Sequence, residues 1–400
     1  MRKAPFPTID SLRIGDRQAD RTRGGNHAGG FPPTVSGNGR GVVRPGDAWL
    51  EGVVPQTGFG DGDTGTLSGG GQHASGPRGA DGGALGAAGG VAAGGGPLFD
   101  QAVPPGGYLW WYIDGLSADG RHAITLIAFV GSVFSPYYAW AGYRDPLDHC
   151  SLNVALYGPD RGYWTMTERG SGAVERAPDT LRIGPSSLRW EKDSLVIDIE
   201  ERTVPWLGRV KGRIRVTPHD LPGRGFALDR DARHLWQPIA PRAEIEVTLT
   251  EPALHWRGIG YLDSNQGSEP LQDGFRRWSW ARAHPARRTV ILYDVECRDG
   301  GARSLALTLG GSRGVEVMEP PPEAGLPRTG WRLERPMRAD EGVQPDLIRT
   351  LEDGPFYARS LVRTRLYGEP ADAFHESLDL DRFRSRLVRA MLPFRMPRRG

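Results

Sequence analysis

The stretch Tyr108-Leu109-Trp110-Trp111-Tyr112-Ile113-Asp114, followed after a turn at Asp119-Gly120 by Ala123-Ile124-Thr125-Leu126-Ile127-Ala128-Phe129-Val130, decides the fold. Both runs are short, rich in β-branched and aromatic residues, and bounded by turn formers, which is the pattern of strands. The same pattern recurs outward from them at 151–157, 163–168, 194–200, 210–216, 244–251, 289–297, 304–309 and 357–366, with Gly158-Pro159-Asp160 marking another turn. Leu195, Ile197 and Ile199 alternate with Val196, Asp198 and Glu200, as on a half-buried strand. The body is therefore expected to be all-β. Roughly eighteen such runs over about 260 residues suit two antiparallel β-barrels in tandem, with the break near 238–252. Inward side chains alternate along every barrel strand, and larger barrels leave room for an apolar ligand.

Residues 123–143 carry no charge and are long enough to suggest a membrane span. Thr125, Gly131, Ser132, Ser135 and Pro136 interrupt them, so they read as two buried strands around a turn. Nearly half of the 57 glycines precede Asp100, and residues 1–98 cannot bury enough apolar surface to offset the entropy of ordering. They are expected to form a disordered leader. Met1-Arg2-Lys3 is followed by no apolar run, which argues against a secretory signal. The expected divisions are 1–98, a first β domain over 99–243, a second over 244–368, and a C-terminal helix with a basic tail over 369–400.

Lys plus Arg number 50 against 48 Asp plus Glu, so no global field calls for nucleic acid. Cys150 and Cys297 form no CxxC, which predicts two free thiols in a reduced compartment. Over 371–392, Phe374, Leu378, Leu380, Phe383, Leu387, Val388 and Met391 recur near helical spacing among Arg382, Arg384, Arg386 and Arg389, and Pro393 ends the pattern. Such a basic amphipathic helix either closes a barrel or lies on an anionic membrane surface.

Two stretches carry chemistry. His234 and Trp236 are two residues apart, as are Tyr261 and Asp263, so on strands each pair shares a face. A carboxyl and an imidazole between aromatic walls are suited to proton transfer, because burial lifts a carboxyl pKa. Asp263 also has a plain reading, since Asp-Ser-Asn-Gln-Gly is turn chemistry, and a lone His234 is an ordinary core or loop residue. Trp278 and Trp280 share one wall, although any single tryptophan is more often core filling. Asp114 either lines the same cavity or starts a turn, the turn being the expected role. Gly310-Gly311-Ser312-Arg313-Gly314 matches G-x-S-x-G, but a strand pattern follows at 315–318 instead of a helix, so a hairpin turn is expected. No Walker or HExxH motif occurs, and His149-Cys150 lacks further ligand spacing, so neither nucleotide nor metal is expected.

Gly106-Gly107-Tyr108-Leu109-Trp110-Trp111-Tyr112, the run from Ala128 to Trp140, His149-Cys150-Ser151-Leu152-Asn153 and Met166-Thr167-Glu168-Arg169-Gly170 together resemble the carotenoid 1,2-hydratases, or hydroxyneurosporene synthases, of photosynthetic bacteria. The resemblance runs from about Phe99 to the expected C-terminal helix and leaves the glycine-rich leader unexplained. It implies a tandem lipocalin-like fold and a cofactor-independent hydro-lyase that adds water across the terminal 1,2 double bond of neurosporene or lycopene. The family's site residues fall on His234, Trp236, Tyr261 and Asp263. Asp263 is then the acid that protonates C2, Trp236 and Tyr261 stabilise the C1 cation, and His234 or the Asp263 carboxylate takes the proton of the attacking water. A substrate that lives in the bilayer implies peripheral membrane association on the cytoplasmic side. A carotenoid carrier without turnover and a pericyclic catalyst are the competing readings.

Overall fold

The computed structural model describes residues 96–399 apart from 286–287 and 311–313. The leader expected over 1–98 lies outside the described residues except for its last three. Among the described residues the chain is mostly β, arranged as a 13-stranded sheet, a seven-stranded sheet and a two-stranded ribbon.

The first sheet runs, edge to edge, Arg398–Arg399, Tyr163–Arg169, Cys150–Tyr157, Ala123–Val130, Tyr108–Ser117, Ala253–Gly267, His234–Glu251, Arg209–Pro218, Ser194–Arg202, Ser186–Glu191, Thr180–Ile183 and Val174–Ala177, and Phe226–Ala227 adds to the side of His234–Glu251. It curls back on itself where Thr165 bridges Thr203. The second sheet runs Val315–Met318, Ala302–Leu309, Thr289–Cys297, Phe275–Ala283, Glu369–Asp379, Tyr357–Leu366 and Asp346–Asp353, with no pairing between its two edge strands. The ribbon pairs Glu323–Leu326 with Arg335–Arg338.

The alternation along Tyr108–Ser117 explains how the layers meet. Leu109, Trp111 and Ile113 enter a core enclosed by the curled first sheet, where Trp111 packs on Phe99 with ring centroids 4.8 Å apart. Tyr108, Trp110 and Tyr112 point the other way, into a cluster shared with Trp280, Ile291 and Phe374 of the second sheet. A strand buried on both faces must be apolar throughout, hence its unbroken aromatic run. Each such side chain contributes roughly 1.5–3 kcal/mol by leaving water. The second sheet repeats the device: Trp280 and Leu378 face the first sheet, whereas Ala281, Val290 and Val362 pack beneath Leu326 and Met337 of the ribbon.

Several expectations need correction. The boundary at 243/244 falls inside the strand His234–Glu251, whose hairpin partner Ala253–Gly267 also pairs with Tyr108–Ser117. The chain leaves the first sheet only between Gly267 and Phe275. The helix expected over 371–392 is a strand, Glu369–Asp379, followed by short helices Leu380–Phe383 and Arg386–Met391. A spacing of four, as between Phe374 and Leu378, is close to one helical turn but is also a multiple of the strand period of two. Pairing on both sides, with Phe275–Ala283 and Tyr357–Leu366, decides it. Within 123–143 only Ala123–Val130 is a strand; Pro136–Trp140 is a helix, capped by the Ser135 hydroxyl, which accepts from Tyr138 N at 3.0 Å. Ser-Pro is a helix-start signal there. Residues 311–313 of the G-x-S-x-G match lie outside the described residues, and the flanking strands Ala302–Leu309 and Val315–Met318 pair antiparallel.

Candidate active site

The hairpin His234–Glu251/Ala253–Gly267 carries all four sequence-predicted residues, and its register sets their spacing. Trp236 lies opposite Asn265 and Pro238 opposite Asp263, while on the other side Tyr112 lies opposite Asp263 and Asp114 opposite Tyr261. Residues directly opposite each other point to the same face with Cβ atoms about 4.5–5.5 Å apart. Trp236, Tyr261, Asp263, Tyr112 and Asp114 therefore all project into the space between the two sheets.

Asp263 is buried there with an unequal pair of oxygens. Its Oδ2 accepts from Trp236 Nε1 at 2.8 Å and from the Tyr261 hydroxyl at 2.7 Å. Its Oδ1 is buried and has no partner. Desolvation raises the Asp263 pKa to about 8, against the two donated hydrogen bonds, which lower it, and with nearby Glu376 and Asp114 adding to the rise. The carboxyl is thus protonated at neutral pH. With both donors on Oδ2, the proton belongs on Oδ1, the atom left open. Around it stand rings: Tyr261 and Trp280 have centroids 5.5 Å apart, Trp236 and Tyr293 5.1 Å, Trp278 and Tyr293 5.1 Å. Tyr293 is held by Asn265, whose Nδ2 donates to its hydroxyl at 3.0 Å.

His234 belongs to the same strand but not to the same cluster. It lies opposite Gly267, four residues from Asp263 along the partner strand, or roughly 13 Å. Its Nδ1 meets the Tyr108 hydroxyl at 2.8 Å and its Nε2 meets Glu269 at 3.2 Å. Burial pushes its pKa down to about 4, against the pull of Asp229 and with Arg233 adding to the fall, so the ring is neutral at pH 7. A proton on Nε2 facing the Glu269 carboxylate leaves Nδ1 to accept from Tyr108. Two glycines make its room: a Cβ on Gly274 would sit 2.2 Å from Nε2, and one on Gly267 2.8 Å from Nδ1.

Beside Asp263 lies a second buried polar group, around Asp114, for which lining the cavity was one of two readings and a turn the expected one. Asp114 is inside its strand, not at a turn, and pairs with the buried Arg282. The Tyr112 hydroxyl stands 2.9 Å from Asp114 Oδ2 and 2.8 Å from Glu376 Oε1, its one proton shared between two acceptors. Arg359 closes the set by bonding Glu376 and Thr125, and its Nε donates to the Tyr357 hydroxyl at 3.0 Å. Arg282 also lies over the Tyr261 ring, 5.3 Å from its centroid. Arg282, Glu376 and Arg359 come from the second sheet, so no spacing within the hairpin reveals them. Asn265 was legible: it continues the period of two from Asp263.

The arrangement offers a neutral acid, buried and walled by aromatic rings. Among the described residues no group of three or more His, Cys, Asp or Glu is placed to hold a metal ion. The family model for the carotenoid hydratase CrtC matches residues 126–400. The chain belongs to the carotenoid hydratase family. The acyclic carotenoid 1,2-hydratase of Thiocapsa roseopersicina is 52% identical over 404 residues, with 100% of each chain covered. That of Rubrivivax gelatinosus is 48% identical over 408 residues, again with 100% of each covered. Among solved structures, an AttH protein of Nitrosomonas europaea is 14% identical with a TM-score of 0.45, covering 68% of this chain and 92% of that one. In this member of the carotenoid hydratase family, Trp236, Tyr261 and Asp263 are in direct contact, and His234 stands apart from them.

Proposed function

We propose that the protein adds water across the terminal C1–C2 double bond of an acyclic carotenoid such as neurosporene or lycopene, without a cofactor, and that Asp263 is its acid. The observation that carries this reading is the split carboxyl: two neutral donors on Oδ2 and a buried, unpartnered Oδ1. An alkene has no lone pair to receive a proton from a weak, solvated acid. It needs an undissociated one held against it in a dry site.

The Oδ1 proton passes to C2 as the π bond breaks, leaving a tertiary cation at C1. The faces of Trp236, Tyr261 and Tyr293 attract that cation. The Asp263 carboxylate now carries the balancing negative charge, its Oδ2 steadied by the Trp236 and Tyr261 donors. Water adds through oxygen to C1, and one of its protons returns to the carboxylate, restoring the acid. The separation of His234 from Asp263 favours this return over transfer to the imidazole. His234, wedged between Tyr108 and Phe275 with ring centroids 5.8 and 4.5 Å away, is assigned instead to holding the strand that bears Trp236.

Lipocalin-like units in tandem remain part of this reading, with the changeover moved to 268–274. The free thiols Cys150 and Cys297 support a reducing, cytoplasmic location. Peripheral contact with a membrane, through the C-terminal segment, follows from a substrate that dissolves in lipid. No helix among the described residues is long and apolar enough to cross one.

The test is incubation of the purified protein with lycopene or neurosporene in detergent and oxygen-18 water, without added cofactor. Labelled 1-hydroxy product is expected, and none from Asp263→Asn. Pigment retained by the protein without any product would replace the hydratase reading by that of a carrier.

A further inference from the structure

The large apolar side chains left most exposed are not scattered. Among the described residues the four highest are Leu207 at 92%, Phe394 at 77%, Trp206 at 76% and Leu387 at 72%. They belong to two segments far apart in sequence: the loop between Ser194–Arg202 and Arg209–Pro218, and the C-terminal turns Arg386–Met391 and Leu392–Phe394. Trp164 joins the two. Its carbonyl accepts from Val204 N at 3.0 Å at the root of the first segment, and its Nε1 donates to Arg395 O at 3.2 Å next to Phe394. Thr203 ties the loop inward through a bond to the Trp206 carbonyl, which holds Trp206 and Leu207 at its tip. Leu387 and Phe394 are seven residues apart along a nearly continuous helical path and so share a side.

Cations accompany this edge. Arg395 lies over the Trp164 ring at 4.6 Å from its centroid. Arg202, Arg384 and Arg386 flank the same segments and make no side-chain bond or ion pair among the described residues. Protruding Trp, Leu and Phe with unpaired arginines beside them match a bilayer interface, where indole and phenyl rings settle at headgroup depth and guanidinium groups meet phosphate.

The reverse side of the C-terminal segment gives the edge a purpose. Leu380, Phe383, Val388, Leu392 and Met396 enter the same core cluster as Trp236 and Tyr261. A series of ring contacts leads inward from it: Phe383 to Phe134 at 5.8 Å, Phe134 to Phe129 at 6.1 Å, Phe129 to Trp110 at 5.9 Å and Trp110 to Trp278 at 5.9 Å, next to Tyr293 and Trp236. One short segment thus has a lipid-seeking outer side and an inner side continuous with the walls around Asp263.

We infer that the loop bearing Trp206 and Leu207, together with Leu387 and Phe394, docks the protein on an anionic lipid bilayer and sets the C-terminal segment as the threshold over which an apolar chain passes inward. This rests on the lipid-soluble substrate proposed above, and adds to it a defined face with a loop that the basic C-terminus alone does not indicate.

The experiment is co-sedimentation of the full chain with vesicles of phosphatidylcholine, with and without phosphatidylglycerol. The unmodified protein is expected to bind, more strongly with phosphatidylglycerol and less at high salt, since exposed charges are screened over about 8–10 Å at 0.1–0.15 M salt. The variant Trp206→Ser/Leu207→Ser/Phe394→Ser is expected to lose binding by ~10-fold or more, because three apolar side chains no longer leave water on docking. Its hydration of detergent-dispersed carotenoid should be unchanged, which also shows that it is folded. As a milder probe, quenching of tryptophan emission by brominated lipid chains should weaken in Trp206→Phe. Binding that is equal in the triple variant and the unmodified protein overturns the assigned face while leaving hydration intact. Failure of the unmodified protein to bind any vesicle overturns membrane docking altogether, and a dimer in solution that the triple variant separates gives the edge to a second copy of the chain. Loss of hydration by the unmodified protein in detergent would instead strike the proposed reaction, not the face.

Discussion

Asp263 and Asp114 are buried carboxyls on adjacent strands, two residue pairs apart, facing the same space, and they are satisfied in different ways. Asp263 has only neutral donors, an indole and a phenol, so desolvation wins and its proton stays on. Asp114 is paired with the guanidinium of Arg282, and Glu376 beyond it with that of Arg359, although burial still pushes the Glu376 pKa up. Burial alone does not make an acid. The choice of Trp and Tyr over Arg as donors keeps the carboxyl neutral, and the ion pairs next to it tie the two sheets together.

The contrast can be broken most severely at its reactive end. Asp263→Asn should lower the hydration rate by about 10²–10⁴-fold or more, the usual range for losing a general acid, with the circular dichroism of the β structure unchanged. Full activity would move the acid elsewhere. The next largest effect lies across the strand: Arg282→Met leaves Asp114 buried and uncompensated and should cost about 3–5 kcal/mol in denaturant unfolding, much of which Asp114→Asn in the same chain should restore. No recovery in the double variant would mean that the pair matters for packing and not for charge.

Smaller effects sharpen the assignment. With protonated Asp263 as the proposed acid, kcat/KM should fall as pH rises through about 8. Trp236→Phe removes a bond that favours the charged form, so the falling limb should move upward by about one pH unit, as a hydrogen bond to a charged group is worth about 1.5–3 kcal/mol and a unit is about 1.4. Glu376→Gln removes a negative neighbour and should move the limb the other way. Shifts of the same sign in both variants would contradict the electrostatic account. Stability carries the same sign. The folded pKa lies above the ordinary 3.8, so the folded chain keeps a proton that the unfolded chain releases, and stability falls as pH rises between 3.8 and about 8. The urea midpoint should therefore drop from pH 5 to pH 8, and drop less in Asp263→Asn.

How legible this was depended on which partner carried the information. Strands such as Ala123–Val130, Thr289–Cys297 and Tyr357–Leu366 were readable to the residue, because composition and turns mark them locally. That Tyr261 shares a face with Asp263, and Trp236 with His234, was readable too, since a strand repeats every two residues; that Trp236 meets Asp263 is set by the register of the hairpin. His234 satisfied the same rule yet stands apart, because spacing gives the face and only register gives the position along it. The strand Glu369–Asp379 was misread where a spacing of four served both periods. Glu376, Arg359 and Arg282 were invisible, because nothing in the hairpin sequence says what the second sheet brings against it.

The unequal oxygens of Asp263 also have a stereochemical consequence. If Asp263 is the acid, as proposed, its anchoring through Oδ2 by two donors holds its hydroxyl to one side, and the alkene should receive hydrogen on one face only. In heavy water the deuterium should occupy a single prochiral position at C2, and a mixture of the two configurations there would mean that the carboxyl is free to rotate.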